Sequence, residues 1–310
     1  MTTGTLELDR LFPPALQRLR RLPLTRDQLM LLMIAINEFF LGVDTYVSHA
    51  ISGTIVPREW IPIVFGFSAS ALLLLAGLIA IRNRPLATII ANVVLLASMV
   101  VGVLGAYFHL VRAALPAGPW WQRLTLDLLI WAPPVMGPLA FTLVGLLGIS
   151  AVWLEDPPDS GTLVLFGNRR LHLPYSKTRA YFFIVSMGIL AALVSSVLDH
   201  ARTGFENPAI WVGTAIGIFG MVVAAAMGGT ETPSRGDLYT YIVAMLLLII
   251  IGPIGTYFHV QANLVGKSTV VIERFIRGAP FLAPLLYSNM GILGLIALLD
   301  PRENVPHTTN

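Results

Sequence analysis

The sequence predicts an all-α integral membrane protein: eight transmembrane helices as a tandem 4+4 parallel internal repeat, with both termini cytoplasmic. Three observations lead there. Apolar residues make up 55% of the 310 and charged ones only 12%, with a mean hydropathy of +0.76, whereas soluble domains carry about 25% charged residues. Eight apolar stretches follow one another, each near the ~20 residues that a bilayer core requires. The chain also repeats whole phrases, which is the mark of a duplicated unit.

Residues 1–28 form a basic segment, with Arg10, Arg18, Arg20, Arg21 and Arg26 spaced among leucines. This reads as a positively charged cytoplasmic flank lying on the headgroups. The first repeat, 29–154, holds spans at about 29–50, 60–81, 86–111 and 127–154. A linker, 155–179, carries Thr162–Phe166, then Gly167-Asn168, then Arg169–Leu173, a pattern that suggests a hairpin on the cytoplasmic face. The second repeat, 180–301, holds spans at about 180–201, 209–230, 238–263 and 279–299, and 302–310 is a polar tail. His172 falls in the hairpin and His307 in the tail. Runs this long and apolar must close their backbone hydrogen bonds internally, hence helices.

Orientation follows from the basic residues. With the N-terminus inside, inner segments carry 13 Lys and Arg and outer loops 7, so the cytoplasmic side is the basic one. The first apolar run is long and lacks a cleavable pattern, so it reads as a span of a bacterial inner (cytoplasmic) membrane protein. The net charge of +3 sits at span ends and argues for the lipid bilayer rather than nucleic acid as partner. With no cysteine, thiolate metal sites, iron–sulfur clusters and c-type haem attachment are excluded. No phosphate-binding loop, Ser/His/Asp constellation or zinc-protease phrase is present.

The repeated phrases carry most of the histidine. His49-Ala50-x-Ser52-Gly53-x3-Pro57-x2-Trp60 returns as His200-Ala201-x-Thr203-Gly204-x3-Pro208-x2-Trp211, an offset of 151. Gly102-x2-Gly105-x-Tyr107-Phe108-His109 returns as Gly252-x2-Gly255-x-Tyr257-Phe258-His259, an offset of 150. Pro134-x3-Pro138-x6-Gly145-x2-Gly148 returns as Pro280-x3-Pro284-x6-Gly291-x2-Gly294, an offset of 146. Counting along the helices places His49, His109, His200 and His259 at one depth, near the outer surface. Trp60, Trp120, Trp121, Trp131 and Trp211 gather on that side as an aromatic belt.

Each imidazole can simply cap a helix end, where carbonyls are unpaired. Alternatively the four ligate. Imidazole is the usual axial ligand of haem iron, and a four-helix unit with one His on its first helix and one on its third can clamp a haem between them. That reading pairs His49 with His109 and His200 with His259. It makes Gly102, Gly105, Gly252 and Gly255 either a bare face for a flat macrocycle or sites of close helix packing. A second reading gathers the histidines with Asp44 and Asp199 around a Cu, Fe or Mn ion.

Glu38 lies near the middle of the first span, where an ionisable group costs at least ~3 kcal/mol. With Asp44 it marks a proton path, or else it is a structural carboxyl bonded to Asn37 or Asn92. The functional expectation is an electron-transfer subunit, a b-type cytochrome with bis-His haem b near the outer face, working with other membrane or periplasmic redox subunits. The alternatives are a non-haem metal oxidase or monooxygenase-like site, and a cofactor-free structural subunit or small-solute transporter. Kinked helices at matching positions keep the last one open.

Overall fold

The computed structural model describes residues 11–12, 24–50, 53–165, 169–266 and 269–299. Most of the N-terminal basic segment, the hairpin tip 166–168 and the tail with His307 lie outside the described residues. The helices are α1 (Arg26–Ala50), α2 (Trp60–Ala80), α3 (Arg84–Ala113), α4 (Trp120–Arg123), α5 (Leu126–Trp131), α6 (Met136–Val152), α7 (Lys177–Ala201), α8 (Ile210–Gly229), α9 (Arg235–Asn263), α10 (Ile272–Arg277) and α11 (Leu285–Ala297). Three short strands, β1 (Leu154–Glu155), β2 (Thr162–Val164) and β3 (Arg170–His172), form an antiparallel sheet in sequence order. The expected hairpin is thus β2–β3, extended by a strand that the sequence did not signal.

Local chemistry sets the helix starts. Thr25 and Gln28 bond reciprocally ahead of α1, through Gln28 N to Thr25 Oγ1 at 3.2 Å and Thr25 N to Gln28 Oε1 at 2.9 Å, which satisfies backbone donors with no intrahelical partner. Asn83, Ser176 and Ser234 accept from backbone N–H groups one turn on and so cap α3, α7 and α9.

Six helices are long and apolar enough to cross a membrane: α1, α2 (with the 3₁₀ turn Pro57–Glu59 ahead of it), α3, α7, α8 and α9. A seventh crossing arises if the bent pair Trp120–Trp131 and Met136–Val152 counts as one span. The protein is therefore an integral membrane protein in contact with the bilayer, and side chains such as Leu78, Ile81 and Val93 face outward into lipid. The two expected spans that differ have one cause. Around 127–154 the chain turns by 88° before α6. Pro133 forces Ala132 into an extended conformation (ψ 168°), as residues ahead of proline must be. The stretch 279–299, which holds Pro280 and Pro284, is helical only from Leu285 to Ala297. Those 13 residues rise about 20 Å at ~1.5 Å each, short of the roughly 30 Å hydrocarbon core.

Packing follows the apolar faces. α1 lies on α2, α2 on α3, α3 on α6 and α6 on α1; α7 lies on α8, α8 on α9, α9 on α11 and α11 on α7. The two sets meet where α6 touches α7 and α11 touches α1, and the outer helices cross over, α5 onto α7 and α10 onto α1. Small residues make the close approaches possible. A Cβ on Gly66 would lie 2.7 Å from Gly42 Cα, and one on Gly145 would lie 2.6 Å from the Leu95 carbonyl oxygen.

At the N-terminal ends of α1 and α7 the two sets are locked by charge. Arg26 and Lys177 are 2% and 1% exposed. Lys177 Nζ donates to Asp27 Oδ2 at 2.5 Å and to the Trp153 carbonyl at 2.7 Å. Asp27 Oδ1 accepts from Tyr181 OH at 2.9 Å, and Arg26 Nη1 donates to Thr178 Oγ1 at 2.7 Å. Glu155 ties in the linker by accepting from the N–H groups of Asp159, Gly161 and Lys177.

Candidate functional site

The opposite, C-terminal ends of the four longest helices carry the repeated histidines. His49 and His200 occupy the last turns of α1 and α7, and His109 and His259 lie four residues before the ends of α3 and α9. The rings meet in two pairs. His49 and His109 have centroids 6.2 Å apart at 56°, and His200 and His259 have centroids 6.0 Å apart at 68°. All four side chains are half-buried.

Every ring is anchored through the same atom. Nδ1 of His49 contacts the Thr45 carbonyl oxygen at 2.8 Å and Nδ1 of His200 that of Ser196 at 2.7 Å, each one turn back on its own helix. Nδ1 of His109 contacts the Pro134 carbonyl oxygen at 2.8 Å, and Nδ1 of His259 that of Pro280 at 2.9 Å. A carbonyl oxygen only accepts, so each Nδ1 carries the hydrogen and donates. In the neutral ring the basic lone pair then sits on Nε2, which is how a ligating histidine is usually oriented by its second hydrogen bond.

Pro134 and Pro280 lie ahead of α6 and α11 and not inside a helix, so their carbonyls stand outside the helical ladder and are open to the histidine on the third long helix of each set. In the second set this oxygen also accepts from Ala283 N at 3.1 Å, within the two lone pairs of a carbonyl.

Spacing constrains what two such rings can do together. A metal–nitrogen bond is about 2.0 Å, and the ring centre lies about 1.1 Å behind the nitrogen, so two rings on opposite sides of one ion have centres roughly 6 Å apart; at a tetrahedral angle the figure is nearer 5 Å. The observed 6.0 and 6.2 Å are compatible with opposed ligation and equally with the edge-to-face contact of two rings. No family model, no curated protein and no solved structure matches this chain. The site therefore has to be read from its own residues.

Of the two readings of the glycines, close helix packing is what the geometry supports. A Cβ on Gly102 would strike Thr142 and lie 2.8 Å from the Pro138 carbonyl oxygen; one on Gly105 would lie 2.8 Å from Pro138 Cβ. In the other set a Cβ on Gly252 would strike Ser288, and one on Gly255 would lie 2.7 Å from Pro284 Cβ. The notches are filled by α6 and α11, so they offer no bare face to a macrocycle.

The carboxylates do not join the rings as ligands. Asp44 is exposed on α1 and is electrostatically coupled to Asp199 and to His49. Asp199 pairs with Arg202 at 3.8 Å. Among the described residues no group of three or more His, Asp or Glu is gathered closely enough to hold a metal ion. Arg202 instead reaches across, its Nε donating to the Ile130 carbonyl at 2.6 Å and its Nη2 to that of Ala132 at 2.8 Å. The second set thereby holds the broken entrance of the first set's fourth helix.

Glu38 is fully buried, on a different face of α1 from Asp44, and no hydrogen bond links the two. Its partner is neither Asn37 nor Asn92. Glu38 Oε1 lies 2.6 Å from Ser98 Oγ, while Asn92 is engaged with Trp153 Nε1 and the Thr88 carbonyl. Ser98 was not singled out from the sequence. The only available signal was its position, as far before His109 as Glu38 is before His49.

Proposed function

We propose that the chain is a membrane electron-transfer subunit, a b-type cytochrome in which His49 with His109, and His200 with His259, serve as the paired axial ligands of haem b at the outer ends of two four-helix units. What supports the reading is the meeting of the rings in two pairs, at 6.2 and 6.0 Å between centroids, each ring with Nδ1 tied to a backbone carbonyl. Two imidazoles on facing helices are the donor type that holds haem iron. Bound there, the haem would supply one-electron redox chemistry. A bare Cu, Fe or Mn ion fits less well, because each pair offers two nitrogens and neither gains a third ligand among the described residues.

Two further features belong to this reading. The matching helix contacts of α1–α2–α3–α6 and α7–α8–α9–α11, with the offsets of 151, 150 and 146 in the sequence, support a tandem repeat about an axis along the membrane normal. The basic inner segments support cytoplasmic termini, which puts the ring pairs on the far side of a bacterial inner membrane, where periplasmic or neighbouring membrane redox subunits would exchange electrons with them.

The test is an absorption spectrum of the purified protein, oxidised and dithionite-reduced, with metal analysis alongside. A Soret band and a sharp reduced α-band are expected, each halved in His109→Ala and in His259→Ala and absent in the double variant. A colourless protein after expression with ample haem, with metal content indifferent to those substitutions, refutes the reading.

A further inference from the structure

Beneath the first ring pair lies a carboxyl that the ring chemistry does not use. Glu38 is eleven residues before His49 on α1, and Ser98 is eleven before His109 on α3. At ~1.5 Å of rise per residue both sit roughly 16 Å below the rings, well inside the membrane. Ser98 has one hydroxyl hydrogen and two close oxygens, Glu38 Oε1 at 2.6 Å and the Phe141 carbonyl oxygen at 2.8 Å. The carbonyl can only accept, so the serine hydrogen belongs there. The contact with Glu38 then needs a hydrogen from the carboxyl itself. Glu38 is therefore a neutral acid, donating to Ser98, which donates to Phe141. The other carboxyl oxygen, Oε2, is buried with no hydrogen-bond partner, an arrangement that favours the neutral acid over the charged form.

The second unit shows what the bundle needs. On the tandem reading Ile189 stands where Glu38 does, at the offset of 151, and Leu248 where Ser98 does, at the offset of 150; both are fully buried. Acid and hydroxyl are replaced together by two aliphatic side chains, in a set of helices with the same contacts. The architecture is thus built equally well without the polar pair, and replacing buried polar partners by apolar ones is often neutral or stabilising. A purely structural role leaves the presence of the acid in one unit unexplained.

We propose that Glu38, with Ser98, is a reversible proton-binding site at mid-membrane depth: it holds one proton at rest and gives it up to water-derived base without leaving its place. The surroundings bear on its titration. α2 and α6 carry no titratable side chain. α3 has Arg84, Tyr107, His109 and Arg112 only toward its ends, α11 has Tyr287, and α10 has Glu273, Arg274 and Arg277 at the outer rim. On α1 itself Arg26, Asp27, Asp44, Tyr46 and His49 lie at the two ends. α7, which meets Asp27 of α1 through Lys177 and Tyr181, carries these with Arg179, Asp199 and His200 toward its two ends. Among the described residues no charged side chain hydrogen-bonds the carboxyl, whose partner is Ser98.

Infrared difference spectra of the whole protein in lipid, alkaline minus neutral, test this without requiring a chromophore, so failure here is separate from failure of the haem reading. The expected result is loss of a protonated-carboxyl C=O band on raising the pH, a band missing from Glu38→Gln and displaced in Ser98→Ala. The Glu38→Ile/Ser98→Leu variant, which copies the second unit, should fold and also lack the band, giving a reference if Glu38→Gln does not. A band that persists unchanged until the protein unfolds means a fixed structural acid and overturns the proposal. So does the absence of any Glu38-dependent band at neutral pH.

Discussion

Replacing Lys177 with Met removes the ammonium that joins the two helix sets at the N-terminal ends of α1 and α7. The side chain is 1% exposed, so the methionine stem fits the same space and the change is almost purely one of charge. Asp27 loses its 2.5 Å partner and the Trp153 carbonyl its 2.7 Å donor, while Tyr181 and Arg26 stay beside the carboxylate. Breaking a buried pair by deleting one member costs about 3–5 kcal/mol, chiefly through the charge left behind. At about 2 °C per kcal/mol for a chain of this size, thermal unfolding in detergent should fall by roughly 6–10 °C. Removing the stranded charge as well, in Lys177→Met/Asp27→Asn, should recover part of the loss, so that the double-mutant cycle shows a coupling of about 2 kcal/mol. A single variant within about 1 °C of the wild type, or two changes that simply add, would refute a buried ion pair between the sets.

Gly66→Ala places a Cβ 2.7 Å from the Gly42 backbone and should cost about 1–3 kcal/mol as α1 and α2 are pushed apart; Gly77→Ala, which meets nothing within 4 Å, should be neutral or slightly stabilising in the same thermal assay. Arg202→Ala loses both bonds to the Ile130 and Ala132 carbonyls, so amide hydrogen exchange should rise in 126–132 while the inner linker keeps its protection.

The long helices were legible because length and hydropathy are local properties. Each of the six that can cross begins and ends within three residues of its expected bounds. The stretches 127–154 and 279–299 are less regular than their hydropathy suggests, because Pro133, Pro134, Pro280 and Pro284 interrupt the ladder: the first bends by 88° and the second is helical over 13 residues. The meeting of the His49 ring with His109 and of His200 with His259 could be anticipated because each pair falls within one half of the chain. The glycines could not be assigned, since a bare helix face looks the same whether a cofactor or a neighbouring proline fills it. The Asp27–Lys177 bond joins residues 150 positions apart, and each alone reads as ordinary flanking charge. Ser98 was hidden for a similar reason: only the azimuths of α1 and α3 about a common core bring it to Glu38.

The backbone tethers of His109 and His259 have an unequal sensitivity to inheritance. Most substitutions at residue 134 or 280 leave a carbonyl in place, so the residues that make the bond are tolerant ones. Residues 138 and 284 matter in another way, because Pro138 and Pro284 pack on Gly105 and Gly255 of the helices that carry His109 and His259. A bulkier side chain at either position would push that helix off the loop that holds its ring, and drift there would loosen the rings while every histidine remained.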